Sequence, residues 1–183
     1  MPDNCQLRPV APADAERMLR WLLDPEVADN FGMRSRPTLH SMQQWIGKAS
    51  TGQETHAWAI LHRGVHVGNV MLDCIDTFLQ SARLSIYLGE ASARGQGVAS
   101  HAIRLALEQG FSTHGLERIW LTVHERNTRA ALLYTRAGFR IEGVLRQDFI
   151  FRGERINSIL MSLLRMEFIA NNTGTSKSLD NQT

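Results

Sequence analysis

Residues 94–100 read Arg-Gly-Gln-Gly-Val-Ala-Ser and combine two glycines with the start of a helical pattern. Gly95 and Gly97 let the backbone bend so that several N–H groups converge on one point. The helix that follows adds about half a positive charge at its N-terminus. This combination predicts a cradle for a phosphate or pyrophosphate group.

The same two glycines have other interpretations. A dinucleotide-binding fingerprint needs a third glycine, but Ser100 stands in that place. Six residues also separate the preceding strand from Gly95, and a dinucleotide turn is tighter. A plain connection between a strand and a helix explains the two glycines as well as a phosphate site does. Other motifs are therefore needed to distinguish these two interpretations.

The composition narrows the class of protein. A chain of 183 residues with 43% hydrophobic content suits one globular domain with a full core. The two cysteines, Cys5 and Cys74, are too few for a disulfide framework, and the histidines show no spacing typical of metal ligands. Residues 1–10 lack the apolar segment of a secretory signal. A formal charge of +2 does not indicate nucleic acid, and no apolar run spans a bilayer. We expect a cytoplasmic protein without a metal, a nucleic-acid partner or a membrane contact.

Hydrophobic periodicity and turn residues divide the chain into elements. The predicted strands cover residues 6–10, 56–62, 65–73, 80–88, 116–123, 139–151 and 155–164, and the predicted helices cover 12–23, 38–48, 97–112 and 127–137. Residues 51–53 read as a turn, and residues 171–183 as a disordered tail after a single domain at 1–170. This order predicts an α/β fold with one mixed sheet.

Two motifs carry a family resemblance. Residues 94–99 resemble the acetyl-CoA pyrophosphate loop of the GNAT acyltransferases, Gln/Arg-x-x-Gly-x-Gly/Ala, with Arg94, Gly97 and Ala99 in the specified places. The helix after the family's fifth strand carries a second pattern, which is matched by Asn127, Ala130, Tyr134, Gly138 and Phe139. Residues 142–161 are similar to the RimJ/RimL branch, and the resemblance covers about residues 6–168.

The resemblance implies a single GNAT-type domain whose mostly antiparallel mixed sheet, flanked by helices, is splayed between its fourth and fifth strands. Acetyl-CoA would enter this opening as a cosubstrate and act as a false strand. Backbone groups of Ile86, Tyr87 and Leu88 would bond the pantetheine amides, and one N–H would polarise the thioester carbonyl. The other implied cofactor contacts are Arg94, Gly95, Gln96, Gly97, Val98, Ala99, Ser100 and Asn127. Asn127 is equally suited to cap the helix it begins.

Tyr134 is, by this resemblance, the general acid that protonates the departing CoA thiolate, or the group that orients its sulfur. Its spacing to Ala130, Leu133 and Ala137 also suits plain core packing. The general base is not assigned. Family members of this branch often carry a glutamate on the fourth strand, but Arg83 stands there and cannot accept a proton. The remaining candidates are Asp73, Glu90, His124, Glu125 and Asp148. A second departure from the family is Asn157, where an aspartate is common.

The expected acceptor is a primary amine that attacks the thioester directly. With no base assigned, a weakly basic amine is favoured: near neutral pH, deprotonation costs roughly 4 kcal/mol for an amine with a pKa of about 10.4, and under about 1 kcal/mol for an α-amine. Protein N-termini and amino sugars are therefore favoured over polyamines, which would also want an acidic patch. Asn30, Phe31, Met33 and Arg34 are candidate acceptor contacts, or else an ordinary loop. We expect a monomer or homodimer, and the alternative function is a non-catalytic CoA-binding module.

Overall fold

The computed structural model describes residues 5–50, 52 and 54–176, and within them seven strands form one mixed sheet. The strand order is β1-β2-β3-β4-β5-β7-β6. The strands are β1 (Cys5–Pro9), β2 (His56–His62), β3 (Val65–Asp76), β4 (Ser81–Leu88), β5 (Arg118–His124), β6 (Arg140–Phe151) and β7 (Glu154–Leu164). The predicted α/β fold is confirmed.

Six α-helices flank this sheet in the described part of the chain. They are α1 (Ala15–Leu22), α2 (Pro25–Phe31), α3 (Leu39–Ala49), α4 (Val98–Glu108), α5 (Thr128–Arg136) and α6 (Arg165–Ser176). A short 3-10 turn at Pro12–Asp14 precedes α1, and a second one at Ala91–Ala93 precedes the glycine loop before α4. A π-helical turn at Gln109–Thr113 extends α4. No helix among these residues is long and apolar enough to cross a membrane.

The periodicity did not predict α2, which has only seven residues. Its ends nevertheless carry strong local signals. The Asp24 side chain accepts a hydrogen bond from the Glu26 N–H, Pro25 occupies the first helical position, and Gly32 ends the helix at φ +75°. These signals fix a short helix that hydrophobic spacing alone cannot reveal.

The sequence predicted a tail from residue 171, whereas α6 continues to Ser176. Phe168 anchors this helix on the core, with its ring centroid 5.2 Å from that of Phe111. The segment is polar, so its helical state depends on this tertiary contact more than on its own pattern. Residues 177–183, and Thr51 and Gln53 of the predicted turn, lie outside the described residues.

Each face of the sheet has its own hydrophobic core because side chains alternate along a strand. On one face, Ala82 and Leu84 of β4 pack with α4, and Tyr134 of α5 joins the same core. On the other face, Tyr87 packs with α1 and α3. The sheet therefore separates α4 and α5, on the face where the resemblance places the cosubstrate (the cofactor side), from α1, α2 and α3, on the face where it places the acceptor (the acceptor side). Strand β4 contributes to both cores.

The sheet opens between β4 and β5. These parallel strands pair at Ser81–Arg118, Ala82–Ile119 and Arg83–Trp120, and no later pair is formed among the described residues. Beyond Arg83, β4 stays with β3 as far as Leu88, while β5 stays with β7 as far as His124. The two strands diverge and leave a cleft between residues 84–88 and 121–124, which confirms the predicted splay.

Candidate active site

The predicted phosphate cradle has the geometry its glycines require. Gly95 and Gly97 both have φ +77°, in the left-handed region that favours glycine. Gly97 is the N-cap residue of α4 and supplies no side-chain cap. A Cβ built on Gly97 would meet no described atom within 4 Å. The position in front of Gly97 is therefore open, and the first N–H groups of α4 have no partner within the helix, as an anion site needs.

Two arginines border this loop. Arg94 donates from Nη1 to Glu26 Oε1 at 2.6 Å and from Nη2 to the Leu88 carbonyl at 3.3 Å. Arg129, in the first turn of α5, places Nη2 3.7 Å from the position of a Cβ on Gly95. Sequence reasoning missed Arg129, because only the fold brings the start of α5 over the loop. Two guanidinium groups therefore border the loop, and one of them is paired with a carboxylate.

We expect Arg129→Ala to weaken acetyl-CoA binding about tenfold, because a charge-assisted hydrogen bond to a phosphate would be lost. Isothermal titration calorimetry measures this affinity directly. Arg136→Ala, at the far end of the same helix, is the matched control and should change it less than twofold. An equal loss in both variants would mean that only overall charge matters, and Arg129 would not be a phosphate contact.

The backbone of β4 turns selected groups toward the cleft. The N–H groups of Gly89 and Glu90 both donate to the Val67 carbonyl, at 2.9 and 3.0 Å, and so point toward β3. Because successive residues of a strand alternate in direction, the backbone groups of Leu88 and Ile86 point toward β5 and those of Tyr87 toward β3. The geometry therefore supports Ile86 and Leu88 as backbone contacts of the cosubstrate, but not Tyr87.

The side chain of Tyr87 lies on the opposite face from Tyr134. Its hydroxyl donates to Asn69 Oδ1 at 3.0 Å, and burial raises its pKa. The ring also makes an edge contact with Phe31, at 5.1 Å between centroids. Tyr87 thus anchors the acceptor side of β4 by packing and by a buried hydrogen bond.

Tyr134 lies in the cofactor-side core, with 8% of its surface exposed. Its ring packs edge-on against Phe139, at 5.9 Å between centroids. Its hydroxyl has no hydrogen-bond partner among the described residues. Burial raises the pKa of Tyr134 to about 12, so the hydroxyl keeps its proton near neutral pH. This state suits a proton donor to a leaving thiolate, while the packing fits the structural interpretation, so the geometry is compatible with both roles.

Asn127 is the N-cap of α5. Its Oδ1 accepts from the Ala130 N–H at 3.1 Å, and its Nδ2 donates to Asn30 Oδ1 at 3.3 Å. The capping interpretation is confirmed, and a contact with the cosubstrate stays a prediction.

The predicted acceptor residues fall into two groups. Asn30 and Phe31 end α2 directly above the cleft: Asn30 contacts His124 of β5, and Phe31 contacts Tyr87 of β4. Met33 and Arg34 follow α2: Met33 packs, like Phe31, against the core that includes α1 and α3, and Arg34 is exposed in the loop. The end of α2 therefore bridges the two arms of the cleft.

Most of the candidate bases are engaged elsewhere. Asp73 accepts both hydrogen bonds of a bidentate pair from Arg83, at 2.7 and 3.0 Å, so these two residues neutralise each other at the closed end of the cleft. Glu90 accepts from Trp21 Nε1 at 3.0 Å and also pairs with Arg20. Asp148 is exposed on β6.

Glu125 is held by Asn157, which accounts for the missing aspartate. The backbone N–H and Nδ2 of Asn157 donate to Glu125 at 3.2 and 3.0 Å, while its Oδ1 accepts from the Gln147 N–H at 3.0 Å. An aspartate at 157 would place a second carboxylate against Glu125 and lack the donor. The remaining candidate, His124, ends β5 beside the open part of the cleft, where its side chain is buried. No group of three or more metal-ligating side chains occurs among the described residues.

Comparison with known proteins then gives the family. Residues 5–140 match the family model described as an acetyltransferase (GNAT) domain, which is most of the chain. The chain belongs to the GNAT acetyltransferases. Spermidine N(1)-acetyltransferase of Escherichia coli (strain K12) is 32% identical over 77 residues, which are 42% of this GNAT chain and 41% of that protein. The chain thus spans about two fifths of the length of this curated relative.

Solved structures show the same GNAT fold. The spermidine N-acetyltransferase of Vibrio cholerae in complex with CoA and spermine has a TM-score of 0.85 and 21% identity, and the alignment covers 91% of this chain and 98% of that one. A dodecameric structure of spermidine N-acetyltransferase from the same organism has a TM-score of 0.81 and 21% identity, with 92% and 98% covered. At this identity the likeness shows the fold alone.

Proposed function

We propose that this protein is an acetyl-CoA-dependent N-acetyltransferase that moves an acetyl group to a primary amine by direct attack. The observation that carries the proposal is the cleft between β4 and β5, which opens beside the glycine loop at the start of α4 in a chain of the GNAT family. Acetyl-CoA supplies the activated acyl group. The alternative is a non-catalytic CoA-binding module of the same fold.

Each part of the cleft has a task in this reaction. The N-terminus of α4, with Arg94 and Arg129, would hold the pyrophosphate. The N–H groups of Ile86 and Leu88 would hold the cosubstrate along β4, and one of them would stabilise the charge that develops on the thioester oxygen, which is typically worth a few kcal/mol. The protonated Tyr134 hydroxyl would supply a proton to the leaving sulfur.

For the acceptor we propose a polyamine of the spermidine class, which revises the preference drawn from the sequence. The relatives named above are spermidine acetyltransferases. The short helix α2 also carries a cluster of carboxylates that the composition did not reveal: Asp24, Glu26 and Asp29 lie within six residues. Arg94 and Arg152 pair with Glu26 and Asp29, and these exposed ion pairs can be exchanged for an amine at little cost.

The acceptor is tested by a panel of spermidine, a ribosomal-protein N-terminal peptide and a 4-amino nucleotide sugar, with products identified by mass spectrometry. We expect acetylspermidine to form with the highest kcat/KM. Acetylation of the peptide or the sugar without acetylspermidine would contradict the polyamine assignment and restore the weakly basic acceptor. Tight CoA binding without any acetylated product would favour the non-catalytic module.

A pair of variants tests whether the carboxylates of α2 bind the acceptor. Asp29→Asn should raise the KM for spermidine about fivefold, the size expected for one partly exposed charge. Glu108→Gln, which removes a carboxylate from the exposed side of α4, should leave that KM unchanged. Equal values in both variants would mean that α2 does not contribute to acceptor recognition.

Three finer assignments stay predictions. Membership of the RimJ/RimL branch is not supported by the relatives named above. A monomer or homodimer is expected from the sequence, whereas the Vibrio cholerae spermidine acetyltransferase has been solved as a dodecamer. A cytoplasmic location likewise awaits a direct measurement.

A further inference from the structure

His124 ends β5 on the acceptor side of the sheet, where the two arms of the cleft face each other. The register of the two parallel strands pairs Ser81 with Arg118 and Arg83 with Trp120. Continued at the same offset, this register sets His124 level with Tyr87, across the cleft from the β4 backbone groups that would hold the thioester. The end of α2 joins the two positions, since Asn30 contacts His124 and Phe31 contacts Tyr87.

A chain of hydrogen bonds fixes the tautomer of His124. Asn127 uses Oδ1 to cap the Ala130 N–H, so the group it presents to Asn30 is its Nδ2 donor. Asn30 donates its own Nδ2 to the Glu26 carbonyl at 2.8 Å, and both contacts require that Asn30 Oδ1 acts as an acceptor. His124 Nε2, 3.2 Å from this oxygen, must therefore carry the proton. Nδ1 is left with a free lone pair.

The ring of His124 is held rigidly. Phe149 and Phe151 both stack on it, with centroids 4.8 Å away in each case, and only 3% of the residue is exposed. Nδ1 is buried and has no hydrogen-bond partner among the described residues. A buried acceptor without a partner is costly in a structural role, and such groups recur where a ligand or a proton is received.

Charged groups surround this ring on every packed element. The guanidinium carbons of Arg126 and Arg152 lie 6.0 and 5.1 Å from the centroid of the Phe151 ring. Their carboxylate partners are Glu154 of β7 and Asp29 of α2, and Glu125 follows His124 in the chain. Burial lowers the pKa of His124, with a further lowering from Arg126 and an opposing effect of Glu125. The ring is therefore neutral at pH 7, as a base must be.

We propose that His124 is the general base of the transfer, receiving the proton of the acceptor amine on Nδ1 while Asn30 and Asn127 hold its tautomer. This role rests on the proposed function. The acceptor ammonium first loses one proton to solvent, which frees the lone pair of its nitrogen. This nitrogen bonds to the thioester carbonyl carbon, the carbonyl electron pair moves to oxygen, and the nitrogen then carries a positive charge that makes a remaining proton far more acidic than that of a free ammonium ion. That proton passes to Nδ1, the carbon–sulfur bond breaks, and the Tyr134 hydroxyl gives its proton to the sulfur. Solvent then returns the proton from His124 to Tyr134.

His124→Gln is the first test, because glutamine keeps a donor for Asn30 but has no titratable acceptor. We expect kcat for acetyl transfer to fall about 10²- to 10³-fold, with acetyl-CoA affinity within twofold of wild type. The wild-type kcat/KM should fall on the acid side, at a pH below the ordinary pKa of a histidine, and this acid limb should be absent from the variant. His114→Gln is the control, because burial also lowers the pKa of His114 but the residue lies away from the cleft.

Asn30→Asp separates the base from a merely structural histidine. A carboxylate facing Nε2 would stabilise the imidazolium, so the acid limb should move to higher pH by about one unit. Two-dimensional ¹H–¹⁵N NMR of the wild-type ring should show the proton on Nε2. A proton on Nδ1, an unmoved limb in Asn30→Asp, or a His124→Gln variant with wild-type kcat would each overturn the role of His124. An inactive wild type would instead overturn the proposed function, and this role with it.

Discussion

Tyr134→Phe should lower kcat by about 10²- to 10⁴-fold while acetyl-CoA affinity stays nearly unchanged. The substitution removes only a hydroxyl that keeps its proton at neutral pH and has no partner among the described residues. A general acid acts in the transition state, so its loss appears in kcat and kcat/KM together and leaves ground-state binding alone. The ring and its contact with Phe139 remain, so the melting temperature should not change.

Tyr87→Phe is the matched control for this prediction. It removes a hydroxyl that bonds Asn69 on the opposite face of β4, so it should cost about 1 kcal/mol of unfolding free energy. Its effect on kcat should be small. Steady-state kinetics, calorimetry and thermal melting on the same preparations decide between the roles. Wild-type kcat in Tyr134→Phe would show that Tyr134 is a core residue, and stability lost in proportion to activity would leave its catalytic role without support.

Gly97→Asp should abolish measurable acetyl-CoA binding. Gly97 has φ +77°, where any residue with a Cβ is strained, and it stands at the N-terminus of α4. The aspartate carboxylate would also accept the N–H groups that the pyrophosphate needs, and it would place a negative charge where the phosphates bind. Calorimetric titration with acetyl-CoA measures the loss.

Gly115→Asp controls for the strain alone. Gly115 has φ +64° and open space around the position of a Cβ, but it precedes β5 at the closed end of the cleft. We expect this variant to lose some stability and to keep its affinity for acetyl-CoA. If Gly97→Asp bound acetyl-CoA as tightly as wild type, the assignment of residues 94–100 to the pyrophosphate would be wrong.

The sequence predicted those parts of the site that local patterns encode. The structure has the glycine loop, the helix after it and the cap at Asn127, each of which depends on neighbours within a few residues. The strand at 56–62, outside the site, was predicted in the same way. The sequence also predicted the opening between β4 and β5, through the family resemblance.

On the acceptor side the sequence offered candidates such as Asn30, Phe31 and His124, but it could not predict how they contact one another, because these contacts join distant residues. Asn30 and His124 are 94 positions apart and meet only because α2 crosses the cleft. The neutral pairing of Arg83 with Asp73 likewise requires the antiparallel register of β3 and β4. The sequence could not assign the general base for the same reason. Which ring nitrogen of His124 carries the proton depends on Asn30 and Asn127, which come from distant parts of the chain.

The most direct test of this account is the amine-dependent release of free CoA thiol from acetyl-CoA by the wild-type protein with spermidine as the acceptor. We predict steady release over many turnovers, with one acetylspermidine formed for each thiol. Tight binding of CoA with no release above the amine-free rate, for spermidine and for the other amines of the panel, would contradict the claim that this GNAT chain is an N-acetyltransferase.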